Sequence, residues 1–309
     1  MKTTALLFPA FAMRYREFDR ASVPGFPEEA ALYLKRAARL VEIDVQKFES
    51  PAEFTLADEL RDDLQAHYVT YIDCCAIGSL LRRRGMPCHY VSGYSMGLFA
   101  ALHHSGAVSF EDGLRLAHAT CIAAHEGLQD GTYGMAVVVG LTPEEVRGLI
   151  AERELRAEVA DICAPRVVIS SGRREDLGRL LEAAEEAGSL QARFLPVTAP
   201  FHSSFLSSVE GPIRECLDQI EIRDPTCGIV SCVSQRLLLA AGEVREEAAR
   251  NVWRPMRWFA TMNRLLDLGV RVFVECGPSE NLCNMARNIE RDFRIYHPRK
   301  FDRLFASVG

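Results

Sequence analysis

Long apolar runs are missing from the sequence: nowhere do its 309 residues reach the ~18 uninterrupted apolar positions that a bilayer-crossing helix needs. The first residues, MKTTALLFPAFAMRYREFD, carry too short an apolar stretch and no small-residue cleavage site for a secretory signal, so a cytoplasmic chain is expected. No internal repeat and no low-complexity segment occurs, which sets aside solenoids and disordered tracts. Basic charge is in deficit. Against 42 Asp and Glu stand 36 Lys and Arg, a net −6, and a surface that neutralises phosphates needs the opposite sign, so broad nucleic-acid binding is excluded. There are ten cysteines but no CxxC pair; their irregular spacing reads as reduced, mostly buried thiols, not as a disulfide frame. There is no HExxH either, and His118 with His125, two turns apart on one helix face, lack a third ligand at useful spacing, so no metal is expected.

What is present is an ordinary globular mix, 48% hydrophobic and 25% charged, at a length that suits two domains or one enlarged one. Short apolar runs alternate with longer helical stretches, the pattern of an α/β protein. Ala5 to Phe8 reads as a strand, Asp58 to Arg84 as a helix stopped by Gly85, and His89 to Ser92 as a second strand. Gly93-Tyr94-Ser95-Met96-Gly97 follows at once and runs into an apolar helix ending near Gly106. Ser109 with Asp112 resembles a capping box and opens a helix reaching about Gly127.

From Gly131 the order changes. A strand is expected over Met135 to Leu141, a helix from Thr142-Pro143-Glu144-Glu145, strands over Ala157 to Ile162 and Val167 to Ser171, a helix over Arg174 to Ala187 and a strand over Arg193 to Val197. That β-α-β-β-α-β order is ferredoxin-like. Strands at Ile229 to Val233 and Val270 to Glu275 then complete the first sheet, so residues 130–197 read as a small domain inserted into a larger α/β domain made of 1–129 and 198–309.

Two features carry chemistry. A serine hydroxyl becomes a nucleophile when a strand-to-helix elbow holds it exposed beside a base and beside donors for an oxyanion, and GYSMG has the strand, the small residues and the helix. The bland alternative is a tight turn whose serine caps a helix. Of the eight histidines, His103 and His104 lie in the helix leaving the elbow and are expected to pack or point outward. His202, in Ala199-Pro200-Phe201-His202-Ser203-Ser204, stands where the chain returns from the insert, a loop able to overhang a cleft between domains. Two other readings remain: a catalytically silent carrier-binding module, and an α/β-hydrolase-type esterase with Asp267 or Glu275 as triad acid and His297 as base.

GYSMG with its apolar helix, the inserted unit, APFHS, then Asn251-Val252-Trp253-Arg254-Pro255-Met256-Arg257-Trp258 and Val274-Glu275-Cys276-Gly277-Pro278 stand in this order over essentially the whole chain. Together they resemble malonyl-CoA:acyl carrier protein transacylases and the related acyltransferases of polyketide synthases, of the free-standing type. The resemblance implies an α/β-hydrolase-like larger domain with a mostly parallel sheet and a ferredoxin-like insert. It implies Ser95 as nucleophile, His202 as base, Asn251 orienting that histidine in place of the more usual glutamine, and the backbone N–H groups of Met96 and Phe11 as the oxyanion hole. It also implies acyl-CoA or acyl-phosphopantetheine as co-substrate, no tightly bound cofactor, an acyl carrier protein as partner, and a monomer.

Departures from the family pattern bear on the substrate. The arginine that clamps a malonyl carboxylate falls on Thr120, which cannot neutralise one, and Arg115 lies on another helix face. The loop Phe8-Pro9-Ala10-Phe11-Ala12-Met13 is apolar where the family has glycine and glutamine. Tyr94, Thr120, Cys163 and Phe201 are the expected pocket residues. An acyl group without a free carboxylate is therefore expected, moved to a carrier thiol; the alternative acceptor is water, making the protein an acyl-carrier-protein hydrolase, and malonyl transfer ranks behind both. An acidic carrier would need a local basic rim, for which Arg153, Arg156, Arg173 and Arg174, or Arg299 and Lys300, are the candidates.

Overall fold

Strand β1 (Thr3–Phe8) is apolar on both faces: Ala5 and Leu7 enter one hydrophobic core, Leu6 and Phe8 another. A strand buried on both sides belongs at the centre of a parallel sheet with helices above and below. The structure is a computed structural model and describes residues 2–10, 23–44, 60–126 and 132–308. After β1 come α1 (Phe26–Ala37), α2 (Leu60–Arg83), β2 (Tyr90–Gly93), α3 (Gly97–His104) and α4 (Phe110–Glu126). Next are β3 (Tyr133–Val139), α5 (Pro143–Glu152), β4 (Ala157–Ala164), β5 (Val167–Arg173), α6 (Arg174–Glu186) and β6 (Gln191–Phe194). The chain closes with α7 (Glu210–Asp218), β7 (Gly228–Val230), β8 (Leu237–Leu238), α8 (Ala241–Arg250), α9 (Trp258–Asp267), β9 (Val270–Glu275), α10 (Asn281–Ala286), β10 (Arg294–Tyr296) and α11 (Phe301–Val308).

The larger sheet has the order β10-β9-β1-β2-β7-β8, parallel throughout except for the β7–β8 pair. The chain builds outward from β1 to β2 and β7, then returns to the other side of β1 for β9 and β10. Crevices for ligands form at such reversals, beyond the carboxyl ends of the strands.

The smaller sheet, β4-β5-β3-β6, is antiparallel, and its order with two helices is the ferredoxin-like arrangement expected from the sequence. Ala136 and Val138 of β3 and Val168 of β5 pack with Val146 of α5 and Leu177, Leu180 and Leu181 of α6 in a separate core. Strands alternate faces, so Met135, Val137 and Ile169 point the other way, toward the larger domain. The helix start read at Thr142 is a capping box: its Oγ1 accepts from the Glu145 N–H at 3.2 Å and its own N–H donates to the Glu145 carboxylate at 2.7 Å. The last strand ends at Phe194, earlier than expected; the Leu195 N–H makes a final bond to Met135 O at 2.9 Å before the chain leaves for the loop bearing His202. No described helix is long and apolar enough to cross a membrane. Seven of the ten cysteines are buried and none is bridged.

Candidate active site

The elbow is built from its glycines. A Cβ at Gly93 would run into the Leu98 backbone, and one at Gly97 into the carbonyl of Phe8, so only glycine lets β2 turn into α3 this closely beside β1. The Tyr94 N–H donates to Phe8 O at 2.8 Å, tying the turn to the end of β1. Ser95 is thereby held at φ 54°, a left-handed conformation unusual for serine that lifts its side chain out of the turn.

His202 also has a left-handed φ, 61°. Its loop is pinned from both domains: Ser171 Oγ donates to Phe201 O at 2.6 Å, Ser204 N–H to the Glu158 carboxylate at 2.9 Å, and the His202 N–H to Val252 O at 2.8 Å. The imidazole Nε2 then meets Ser95 Oγ at 2.8 Å. On the other side Nδ1 lies 3.3 Å from the carbonyl oxygen of Arg254. A carbonyl accepts only, so Nδ1 carries the proton and Nε2 is left to accept from the serine hydroxyl. Burial pushes the His202 pKa down to about 4 against the opposing pull of the Arg254 and Asn251 carbonyls, which keeps the ring neutral at physiological pH.

Asn251 departs from expectation. Its Nδ2 donates to Ser95 O at 2.9 Å, so the side chain braces the elbow while a main-chain carbonyl three residues later faces the histidine. Asn251 caps the C-terminus of α8, and its short arm reaches the elbow backbone. The Met96 N–H, directly after the nucleophile, has no acceptor among the described residues, as an oxyanion donor requires. Phe11 lies outside the described residues.

Ser95 and His202 open onto a cavity of about 380 Å³ over the carboxyl ends of β1, β2 and β9, lined among others by Pro9, Ala10, Leu282 and Met285 and roofed by the free face of the small sheet. Tyr94, Cys163 and Phe201 line it as expected. Thr120 does not. It is buried on α4, its hydroxyl without a partner among the described residues, one turn from Ala117, which lines a separate small cavity with Met96 and Gly97. Arg115 is held in an exposed pair with Asp112 at 2.6 Å, away from the site. Two charged lining residues had not been expected. Asp161, fully buried, accepts from Tyr94 OH at 2.7 Å, Cys163 Sγ at 3.0 Å and the Trp258 N–H at 3.1 Å, and Arg193 stands exposed on β6.

The basic candidates divide by partner. Arg153 is paired with Glu186 at 2.7 Å and Arg299 with Glu280, so neither offers a free charge. Arg173 lies over the Tyr133 ring and Arg174 over the Phe194 ring, without ion pairs among the described residues; Arg156 and Lys300 are exposed. The esterase triad fails on geometry: the Glu275 carboxylate accepts from the Leu282 and Cys283 N–H groups, Asp267 pairs with Arg291 at 2.8 Å, and His297 faces Glu280. His103 and His104 are packed, against Tyr33 and Phe8 respectively. No group of metal-ligating side chains occurs among the described residues.

Residues 59–294 match the acyl transferase domain family. The chain belongs to that family. This acyltransferase is 25% identical over 238 residues, 76% of its length and 75% of the other's, to the malonyl CoA-acyl carrier protein transacylase of Bacillus subtilis strain 168. It is 31% identical over 221 residues to the polyketide biosynthesis protein ThaF of Burkholderia thailandensis, covering 69% of this chain and 18% of that one. The crystal structure of an acyl-carrier-protein S-malonyltransferase from Burkholderia pseudomallei, 25% identical, superposes over 98% of the acyltransferase and 99% of that chain with a TM-score of 0.87.

Proposed function

We propose that this acyltransferase moves an acyl group from a thioester, on CoA or on a phosphopantetheine arm, to the thiol of an acyl carrier protein through an ester on Ser95. The observation that carries the reading is the 2.8 Å contact between Ser95 Oγ and a neutral His202 Nε2 at the floor of a largely apolar cavity. His202 takes the hydroxyl proton as Oγ attacks the thioester carbonyl, the Met96 N–H faces the developing oxyanion, and the proton returns from Nε2 to the departing thiolate sulfur. The second half runs in reverse, with the incoming carrier thiol giving its proton to Nε2 and attacking the acyl-serine. Relatives named for acyl carrier protein support that acceptor.

The acyl group is one without a free carboxylate. Among the described residues the cavity's sole lining cation is the exposed Arg193. A second reading, malonyl transfer, is favoured by the names of the relatives. Intact-protein mass after mixing with acetyl-CoA or malonyl-CoA separates them, with Ser95→Ala as control. An acetyl adduct lost in the control is the expected result; exclusive malonyl adduct formation overturns the uncarboxylated assignment, and no adduct from any thioester overturns the acyl-serine route.

A further inference from the structure

We infer that Asp161 is a specificity-determining residue that turns away acyl groups ending in a carboxylate. This rests on the acyl-serine reading above and goes past the missing arginine, since it names a charge that is present. The small sheet's free face roofs the cavity through alternate residues, Met135 and Val137 of β3, Val167 and Ile169 of β5, and Arg193 and Leu195 around β6. On β4 the alternation is broken. Ala157 and Val159 face the insert's own core, as does Leu155 just before the strand; then the pairing register with β5 shifts between Val159 and Asp161, and Asp161 and Cys163 face the cavity instead. A bulge re-aims side chains in this way. Its effect here is to set a carboxylate into the wall beside the nucleophile's own neighbour, Tyr94.

Every partner of that carboxylate is a donor: a phenol, a thiol and a backbone N–H. Burial raises the carboxyl's pKa, and the donors around it, with no acceptor among them, pull it back toward the ionised form. None of them carries positive charge, and Met256, which runs alongside Asp161, is apolar. Arg193 projects from β6 at the opposite edge of the four-stranded sheet, three strand spacings or about 14 Å away, at the open end of the cavity. The buried end of the cavity therefore holds a carboxylate with donors but, among the described residues, no cation beside it, and a second carboxylate brought there is repelled. A neutral acyl chain meets no such barrier.

Two rates of Ser95 loading test this, read by intact mass: malonyl-CoA against acetyl-CoA in the wild type and in Asp161→Asn, and malonyl-CoA against its neutral methyl ester in the wild type alone. Asparagine keeps the shape and an oxygen for Tyr94 while removing the charge, so the malonyl-to-acetyl ratio should rise on the order of tenfold or more. The methyl ester should load faster than malonyl-CoA by a similar factor, a comparison that needs no variant to fold. An unchanged ratio in a folded Asp161→Asn protein, or equal loading of acid and ester by the wild type, overturns the inference alone. Absence of any Ser95 adduct from all donors in both proteins overturns it together with the reading it rests on.

Discussion

The chemistry turns on how little polar contact surrounds His202. His202 is 2% exposed, meets main-chain carbonyls of Arg254 and Asn251 and, among the described residues, lacks a carboxylate partner, so burial dominates and holds its pKa at about 4. A base with a lowered pKa works wherever it is neutral. The acid limb of Ser95 acylation should therefore fall near pH 4, with no step around the ordinary histidine value of 6.5; a midpoint near 6.5 in a pH–rate series would contradict the burial argument. The linked stability has the same sign: between those values the unfolded chain binds the extra proton, so stability falls as pH drops from 6.5 toward 4. Asn251 predicts differently. Asn251→Ala removes one of two donors to the Ser95 carbonyl, leaving the Leu98 N–H at 3.0 Å, and the loosened elbow should slow acylation about tenfold, well short of the 10³-fold or greater loss on the order expected for Ser95→Ala or His202→Ala. Stopped-flow acylation rates measure both. This split was hidden from the sequence, which has no mark for a main-chain acceptor: Arg254 serves the histidine through its carbonyl while its own side chain lies over Trp253.

Among the elements, those with local punctuation were legible. The strand Val270–Glu275 lies where its apolar run put it, the elbow where GYSMG put it, and the insert's first helix begins at a capping box whose three residues are all in place. Thr142→Ala should accordingly destabilise the protein by about 1 kcal/mol in chemical denaturation while leaving Ser95 acylation unchanged, since the cap is remote from the cavity. A loss of acylation would mean the insert's outer helices are coupled to the site. What could not be read was the bulge in β4. Period-2 counting carries Asp161 and Cys163 on to the face of Leu155, Ala157 and Val159, and only the pairing shift turns them inward. Counting along a helix gives a face but not what that face meets: Thr120 is absent from the cavity wall, and Ala117, one turn away, lines the small cavity beside Met96 and Gly97.

At the scale of the molecule, two sheets share one cavity. The parallel sheet delivers Ser95, the insert supplies the roof, and the loop between the domains hangs His202 over both. Net charge says little about a carrier partner; what counts is that Arg173 and Arg174, at the start of α6, keep their charge unpaired among the described residues while Arg153 does not. Replacing both Arg173 and Arg174 by Glu should raise the carrier KM about tenfold at low salt and much less at high salt, with acyl-CoA loading unaffected. An unaltered KM would remove the insert from the docking surface. The most direct test of the whole account is transfer itself. Acyl-enzyme freed of excess thioester is mixed with a holo carrier protein, and both intact masses are followed in time. The account predicts that the acyl mass leaves Ser95 and appears on the carrier thiol at equal rates; its loss to water with none on the carrier would contradict it.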